Sequence, residues 1–184
     1  MLKPLLSALT LIGLSTSVVA VEVDMITNQG TIRIDLNETA APKTVSNFLR
    51  YVDEGFYEQT IFHRVMPGFM IQGGGFSKTL ERKDTHHALA YEGDNGLYND
   101  RGTIAMARTQ DPNSATSQFF INQVDNTFLN HGVRGNGYTV FGKVISGLEV
   151  VDKIAKIPTK VVGPYRNVPT STVLIERIVR LEKL

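Results

Sequence analysis

Between residues 21 and 181 the chain shows many short strand patterns separated by turn residues. Val21, Val23 and Met25 alternate with polar neighbours, Asn28-Gln29-Gly30 supplies turn residues, and Ile32, Ile34 and Leu36 alternate again, which predicts a hairpin. Further strand candidates are the short apolar segments 61–66, 69–73, 103–107, 118–122, 139–145 and 172–181, which makes eight in all. Eight short strands, each with one apolar face, need a closed barrel or a sandwich to bury those faces.

Two segments carry a different period. Pro42 stands where a helix can begin, Val45, Phe48, Leu49 and Val52 follow at i, i+3, i+4 and i+7, and Gly55 marks the stop. The second helix opens on Ser146-Gly147-Leu148-Glu149, a capping-box pattern, and places Leu148, Val151 and Ile154 or Ala155 on one side. One apolar stripe per helix suits lids over the ends or one face of a β core. The stretch 158–169, with Pro158, Gly163, Pro164 and Pro169, reads as a stiff loop.

The N-terminal 20 residues are of another kind. Lys3, an apolar run of about ten residues from Leu5 to Leu14, and the small-residue end Val18-Val19-Ala20 together read as a secretory signal peptide cleaved after Ala20. The run is about half of what spans a bilayer, so no stable membrane insertion is expected after cleavage. The domain expected to remain is 21–184. Cleavage removes Lys3 and no acid, leaving 18 basic and 18 acidic side chains. With that balance and no dense basic block, nucleic acid and anionic membranes are poor partners. The chain has no cysteine, which excludes disulfides, a thiolate zinc site, a Cys nucleophile and a lipidated N-terminal Cys. The final Leu-Glu-Lys-Leu lacks a retention signal, so the expected location is the bacterial periplasm, with secretion as the alternative.

Familiar catalytic arrangements are missing. Gly73-Gly74-Gly75 and Gly135-Asn136-Gly137 lack the context of a nucleotide loop and read as turns. His63, His86, His87 and His131 lack helical ligand spacing, so neither metal nor cofactor is expected, and His63 reads as structural. No Gly-x-Ser-x-Gly elbow exists, and Glu54, Glu58, Glu81, Asp84, Glu92 and Asp94 read as solvated loop acids. What stands out is 62–74, where Arg64, a permanent cation, and Gln72, which does not titrate, sit among Phe62, Phe69, Met70 and Ile71. Chemistry there must work by orientation and electrostatics rather than proton shuttling.

Five stretches taken in order, Phe62-His63-Arg64, Pro67-Gly68-Phe69-Met70-Ile71-Gln72-Gly73-Gly74, Met106-Ala107-Arg108, Ser117-Gln118-Phe119-Phe120-Ile121 and Val140-Phe141-Gly142-Lys143-Val144, closely resemble the cyclophilins, above all their periplasmic bacterial branch. These are peptidyl-prolyl cis-trans isomerases, and the resemblance runs from about Val21 to Leu181. It implies a mainly β fold, a closed eight-stranded antiparallel β-barrel capped by two α-helices, with a monomer binding proline-containing folding polypeptides in an outer groove. It further implies Arg64 and Gln72 as the catalytic pair. Phe69, Met70, Phe120 and Leu129 would line the proline pocket, Ala107 and the Arg108 backbone would hold the residues before the proline, and Gln118 would border the groove. Arg108 stands where many members have Asn. Phe128 and Tyr138, as further lining residues, fall where many eukaryotic members carry Trp and His, so no indole N–H is available for cyclosporin-type binding.

One geometric condition follows. An ideal two-residue hairpin at Pro67-Gly68 would set Arg64 opposite Ile71 and send Gln72 to the other face, so a bulge or a wider loop is expected to shift the register by one residue. Two rivals use the same residues differently: a proline-peptide binding module or holding chaperone without useful turnover, and a hollow barrel that carries a small ligand.

Overall fold

A computed structural model describes residues 21–181 of the chain; the expected signal peptide lies outside the described residues. The first hairpin pairs β1 (Val21–Thr27) with β2 (Gly30–Leu36), Val23 facing Ile34 and Met25 facing Ile32, so the predicted alternation buries one side of both strands. Helix α1 (Pro42–Asp53) leads to β3 (Thr60–Met66) and β4 (Met70–Ser77). A long connection then reaches β5 (Thr103–Met106), β6 (Phe119–Asn122) and β7 (Val140–Ser146). Helix α2 (Leu148–Ala155), the short strands β8 (Thr159–Val162) and β9 (Tyr165–Pro169), and β10 (Leu174–Leu181) complete the chain. Eight strands close in the order β1-β10-β3-β4-β6-β5-β7-β2, every neighbouring pair antiparallel, and this is the expected barrel.

The interior is solid. Phe62, Ile71, Ile104, Phe119, Ile121 and Phe141 point inward, and the α1 residue Phe48 closes on them, its ring 5.8 Å from Phe119 and 5.3 Å from Phe141. Aromatic packing at these distances leaves no room for a carried ligand, which removes the hollow-barrel reading. The α1 stripe Val45, Phe48, Leu49 and Val52 is buried as its spacing requires, and α2 buries Val151, Ile154 and Ala155.

Four local expectations need correction. Ser146 does not cap α2: it ends β7, and Gly147, at φ +85°, turns the chain directly into the helix. A Cβ at Gly147 would lie 2.2 Å from the Thr31 carbonyl oxygen, so close passage over β2 decides the turn there. The stretch 158–169 is a hairpin, not a loop, with Val162 paired to Tyr165 across Gly163-Pro164. Its prolines stand at the two ends of the hairpin and in its turn, where no ladder hydrogen bond is lost. Glu92 is no free loop acid, because its carboxylate accepts the Lys43 and Thr44 amides and the Thr44 hydroxyl at 2.7–3.0 Å, capping α1 where Ala41 offers no side-chain acceptor. Finally, Gly73-Gly74-Gly75 stays inside β4 rather than turning. A Cβ at Gly74 would meet the Phe119 ring at 2.7 Å and one at Gly75 the Gln118 side chain at 2.4 Å, so the glycines let β4 pass under both.

Candidate active site

The β3–β4 connection contains three residues, Pro67-Gly68-Phe69, with Met66 paired to Met70. The register is thereby shifted as the sequence required, and Arg64 stands directly opposite Gln72. Across the next strands Gln72 pairs with Phe120, Phe120 with Ala105, and Ala105 with Val140. Arg64, Gln72, Phe120, Ala105 and Val140 therefore form one transverse row over five strands, on the barrel's outer face because the intervening residues Ile71, Ile121 and Ile104 fill its interior.

Around that row lies a concavity of about 150 Å³ lined by Arg64, Phe69, Met70, Gln72, Ala107, Arg108, Phe120, Leu129 and Tyr138. Met70 and Phe120 form its apolar floor, packed with Phe69, Leu129 and Tyr138 into a cluster separate from the barrel core. Arg64 is half-buried beside it, its guanidinium 5.9 Å from the centre of the Phe69 ring. It donates to Gln72 Oε1 at 3.3 Å and to Met66 Sδ at 3.0 Å, and none of the ion pairs among the described residues involves it. Burial pulls its pKa below the ordinary arginine value without depriving it of charge. A cation with only an amide and a thioether for side-chain partners keeps N–H capacity for something else.

Gln72 passes the chain of contacts on, donating through Nε2 to Gln118 Oε1 at 3.1 Å. Gln118 lines an adjoining hollow of about 170 Å³, which shares Gln72, Ala107 and Arg108 with the first and adds Arg82, Thr109, Ser114 and Thr116, none of them singled out by motif. The Arg108 side chain makes its own contacts. Its Nε and Nη2 donate to the Gly137 carbonyl at 2.8 and 2.6 Å, Nη1 reaches the Thr109 and Gln110 carbonyls, and the guanidinium lies 4.7 Å from the Tyr138 ring. It thus pins the 130–137 loop beside the pocket. Tyr138 then stands edge-on to Phe120 at 5.4 Å. Of the eleven expected residues, Phe128 alone lines neither hollow; it stacks on Phe69 at 5.6 Å, 37 % exposed, with the Arg134 guanidinium 5.2 Å from its ring centre.

His63, next to the row, is structural as expected. It is 6 % exposed, packs 4.5 Å from the Phe76 ring, and burial, helped by the Arg64 charge, lowers its pKa to about 4, so it is neutral near pH 7. Sequence reasoning missed a set of buried asparagines, Asn99, Asn122, Asn126 and Asn130, which hydrogen-bond with one another beside the pocket wall. Their one visible signal is a polar residue, Asn122, closing an otherwise apolar strand.

Residues 22–180 match the family of cyclophilin type peptidyl-prolyl cis-trans isomerase/CLD. The chain belongs to that family. Among its relatives, peptidyl-prolyl cis-trans isomerase A of Dickeya dadantii is 56% identical over 150 residues, covering 82% of this chain and 79% of that one. Peptidyl-prolyl cis-trans isomerase B of Escherichia coli is 53% identical over 155 residues, covering 83% and 94%. A cyclophilin of Cryptosporidium parvum, solved in the presence of the dipeptide Ala-Pro, superposes with a TM-score of 0.74 at 31% identity, covering 88% of this chain and 99% of its own. The protein is accordingly a cyclophilin-type peptidyl-prolyl cis-trans isomerase with the closed barrel of that family.

Proposed function

We propose that this cyclophilin accelerates rotation about Xaa-Pro bonds in exported, folding polypeptides, and that Arg64 supplies the decisive hydrogen bond. The observation that carries this reading is the half-buried guanidinium, unpaired with any acid among the described residues and set at the edge of a hollow floored by Met70 and Phe120.

Rotation faces a barrier of about 20 kcal/mol because it breaks amide resonance. No covalent bond changes. As the imide twists, the prolyl nitrogen turns pyramidal and exposes a basic lone pair, so a donor aimed at it stabilises the transition state more than the planar ground state. One such donor in a preorganised site contributes about 3–4 kcal/mol, whereas a 10⁵-fold acceleration needs about 7 kcal/mol. The remainder comes from holding the proline ring against Phe69, Met70, Phe120 and Leu129 while the preceding carbonyl swings, and from excluding the water that favours the polar planar amide. Gln72, bonded to both Arg64 and Gln118, orients the guanidinium and grips the peptide backbone. Ala107 and the Arg108 main chain hold the residues before the proline. Tyr138 extends the wall, and Phe128, outside the hollow, backs Phe69.

The signal-peptide pattern of residues 1–20 supports processing to a domain of 21–184 that acts in the periplasm. N-terminal sequencing of protein from a periplasmic fraction should begin at Val21; an intact Met1 end in the cytoplasmic fraction would refute export. For the mechanism, cis-trans exchange on a short Ala-Pro peptide is measured by NMR with wild type and Arg64→Ala. A loss of about 100-fold or more in kcat/KM is expected from removal of the donor. Equal rates in the two proteins would instead favour the binding-module reading.

A further inference from the structure

The proline pocket stands between two chain segments, the β3–β4 turn that carries Phe69 and the short 3₁₀ turn Thr127–Leu129 that carries Leu129. These segments are far apart in sequence, and one run of buried amides joins them. Asn126 donates through Nδ2 to the Phe69 carbonyl at 2.9 Å and to Asn122 Oδ1 at 2.8 Å. Asn122 donates in turn to Asn99 Oδ1 at 3.2 Å and to the Thr103 hydroxyl at 2.9 Å. Asn99 ends the run, donating to the Leu129 carbonyl at 3.1 Å and to Asn130 Oδ1 at 3.2 Å. Main-chain bonds brace it: the Asn126 amide donates to the Asn99 carbonyl, the Leu129 amide to the Asn126 carbonyl, and the Gln123 amide to the Phe69 carbonyl.

Three features separate this set from ordinary strand-end polarity. Asn99, Asn122 and Asn126 are essentially inaccessible, at 0 %, 0 % and 2 % exposure, and none lines the hollow. No fully buried side-chain polar atom among them lacks a partner. The central amides of Asn122 and Asn99 each accept from one neighbour while donating to the next, an arrangement in which polarisation strengthens every bond and only one geometry satisfies all. A hydrophobic patch of equal volume could fill the space but would not fix the Phe69 and Leu129 carbonyls relative to each other.

We propose that Asn126, Asn122 and Asn99 are positioning residues that set the width of the proline pocket, holding the Phe69 and Leu129 walls at a spacing that fits a five-membered ring. This assignment rests on the isomerase reading of the same hollow and concerns ring-size selectivity. In Asn126→Asp the side chain keeps its shape but loses both N–H donors, releasing the Phe69 end, and Asn99→Ala cuts the run at the Leu129 end.

The test compares kcat/KM for two peptides differing by one methylene, Ala-Pro and its six-membered homologue Ala-pipecolyl, with wild type and both variants, each checked for cooperative thermal unfolding. Wild type is expected to favour the proline peptide, and the ratio of the two rates is expected to fall at least threefold in each variant as the walls separate. A general loss of stability or of active fraction lowers both rates together and leaves the ratio alone. A folded variant whose ratio changes less than threefold overturns the assignment, as does failure of both variants to fold, which would make the amides plain core scaffold. If wild type catalyses neither peptide, the isomerase reading itself falls first.

Discussion

The two faces of β6 carry neighbouring phenylalanines with opposite duties. Phe119 points into the barrel, where Phe48, Tyr57 and Phe62 meet its ring at 5.5–6.0 Å. Phe120, one residue on, points out, touches Tyr138, and floors the hollow beside Arg64. Both are almost fully buried, so accessibility does not tell them apart; what differs is whether the space beyond the ring is filled by the protein or left open for a ligand. The inner face is an achievement of packing, and the outer face is an apolar surface kept free. Exchanging the roles gives the sharpest test. Phe119→Ala should lose about 3–5 kcal/mol of unfolding free energy, the range for an enclosed aromatic truncated to a methyl. Phe120→Ala, whose ring already borders an opening, should lose less than half as much while kcat/KM on a proline peptide collapses. Urea unfolding curves and exchange rates on the same two preparations check this, and equal destabilisation with equal activity would break the distinction between the faces.

His63 and Arg64 sharpen the comparison along β3. The guanidinium of Arg64 opens onto the groove, whereas the His63 ring is shut in beside Phe76, which itself meets Tyr165 of the β8–β9 hairpin at 5.2 Å. The covered residue should therefore report on stability and the open one on turnover. With a folded pKa of about 4 against an ordinary 6.5, His63 takes up its proton more readily in the unfolded chain. Its contribution to stability is complete above pH 6.5, declines as pH falls through the window from 6.5 to 4, and changes no further below that. The full amount is about 3 kcal/mol. Unfolding free energies at pH 7.5 and 4.0, compared between wild type and His63→Asn, isolate this group from the carboxylates. The wild type should lose about 3 kcal/mol more than the variant over that interval. Parallel losses would mean that the ring charges within the fold.

How much of this was legible in the sequence follows from how far each cause reaches along the chain. Alternation at Val21–Met25 and the 3.6 period at Val45–Val52 are local, and both gave the right element. The Arg64–Gln72 pairing was legible too, because a three-residue turn is the local solution that puts both side chains on one face. The motifs then placed nine residues in one hollow and Gln118 in the next. What escaped depends on partners distant in sequence. Nothing near Glu92 announces that Thr44, 48 positions earlier, will use its carboxylate. Nothing near Asn126 points to the Phe69 carbonyl, 57 positions earlier. The capping box at Ser146 failed for the converse reason, since a local signal was overridden by the approach of Gly147 to Thr31. The hairpin at 158–169 was hidden because proline reads as a breaker wherever its lost N–H is not already known to be dispensable.

Glu92 offers the mildest test, at the junction between the two faces. It begins the stretch that runs through Leu97 and Asn99 to the outer cluster, yet its carboxylate serves α1, which covers the inner core. If the faces are independent, Glu92→Gln should weaken α1 without being felt in the groove. The amide retains one acceptor oxygen for the Thr44 or Lys43 N–H but loses the second acceptor and the charge that favours a helix N-terminus. The expected loss is about 1 kcal/mol. In a chain of this size that lowers the melting temperature by about 2–4 °C, while kcat/KM on the proline peptide stays within twofold. A tenfold fall in activity with the same small shift in melting would mean that tension at the helix end reaches Asn99 and the pocket wall, and the faces of the barrel would then have to be treated as one coupled unit.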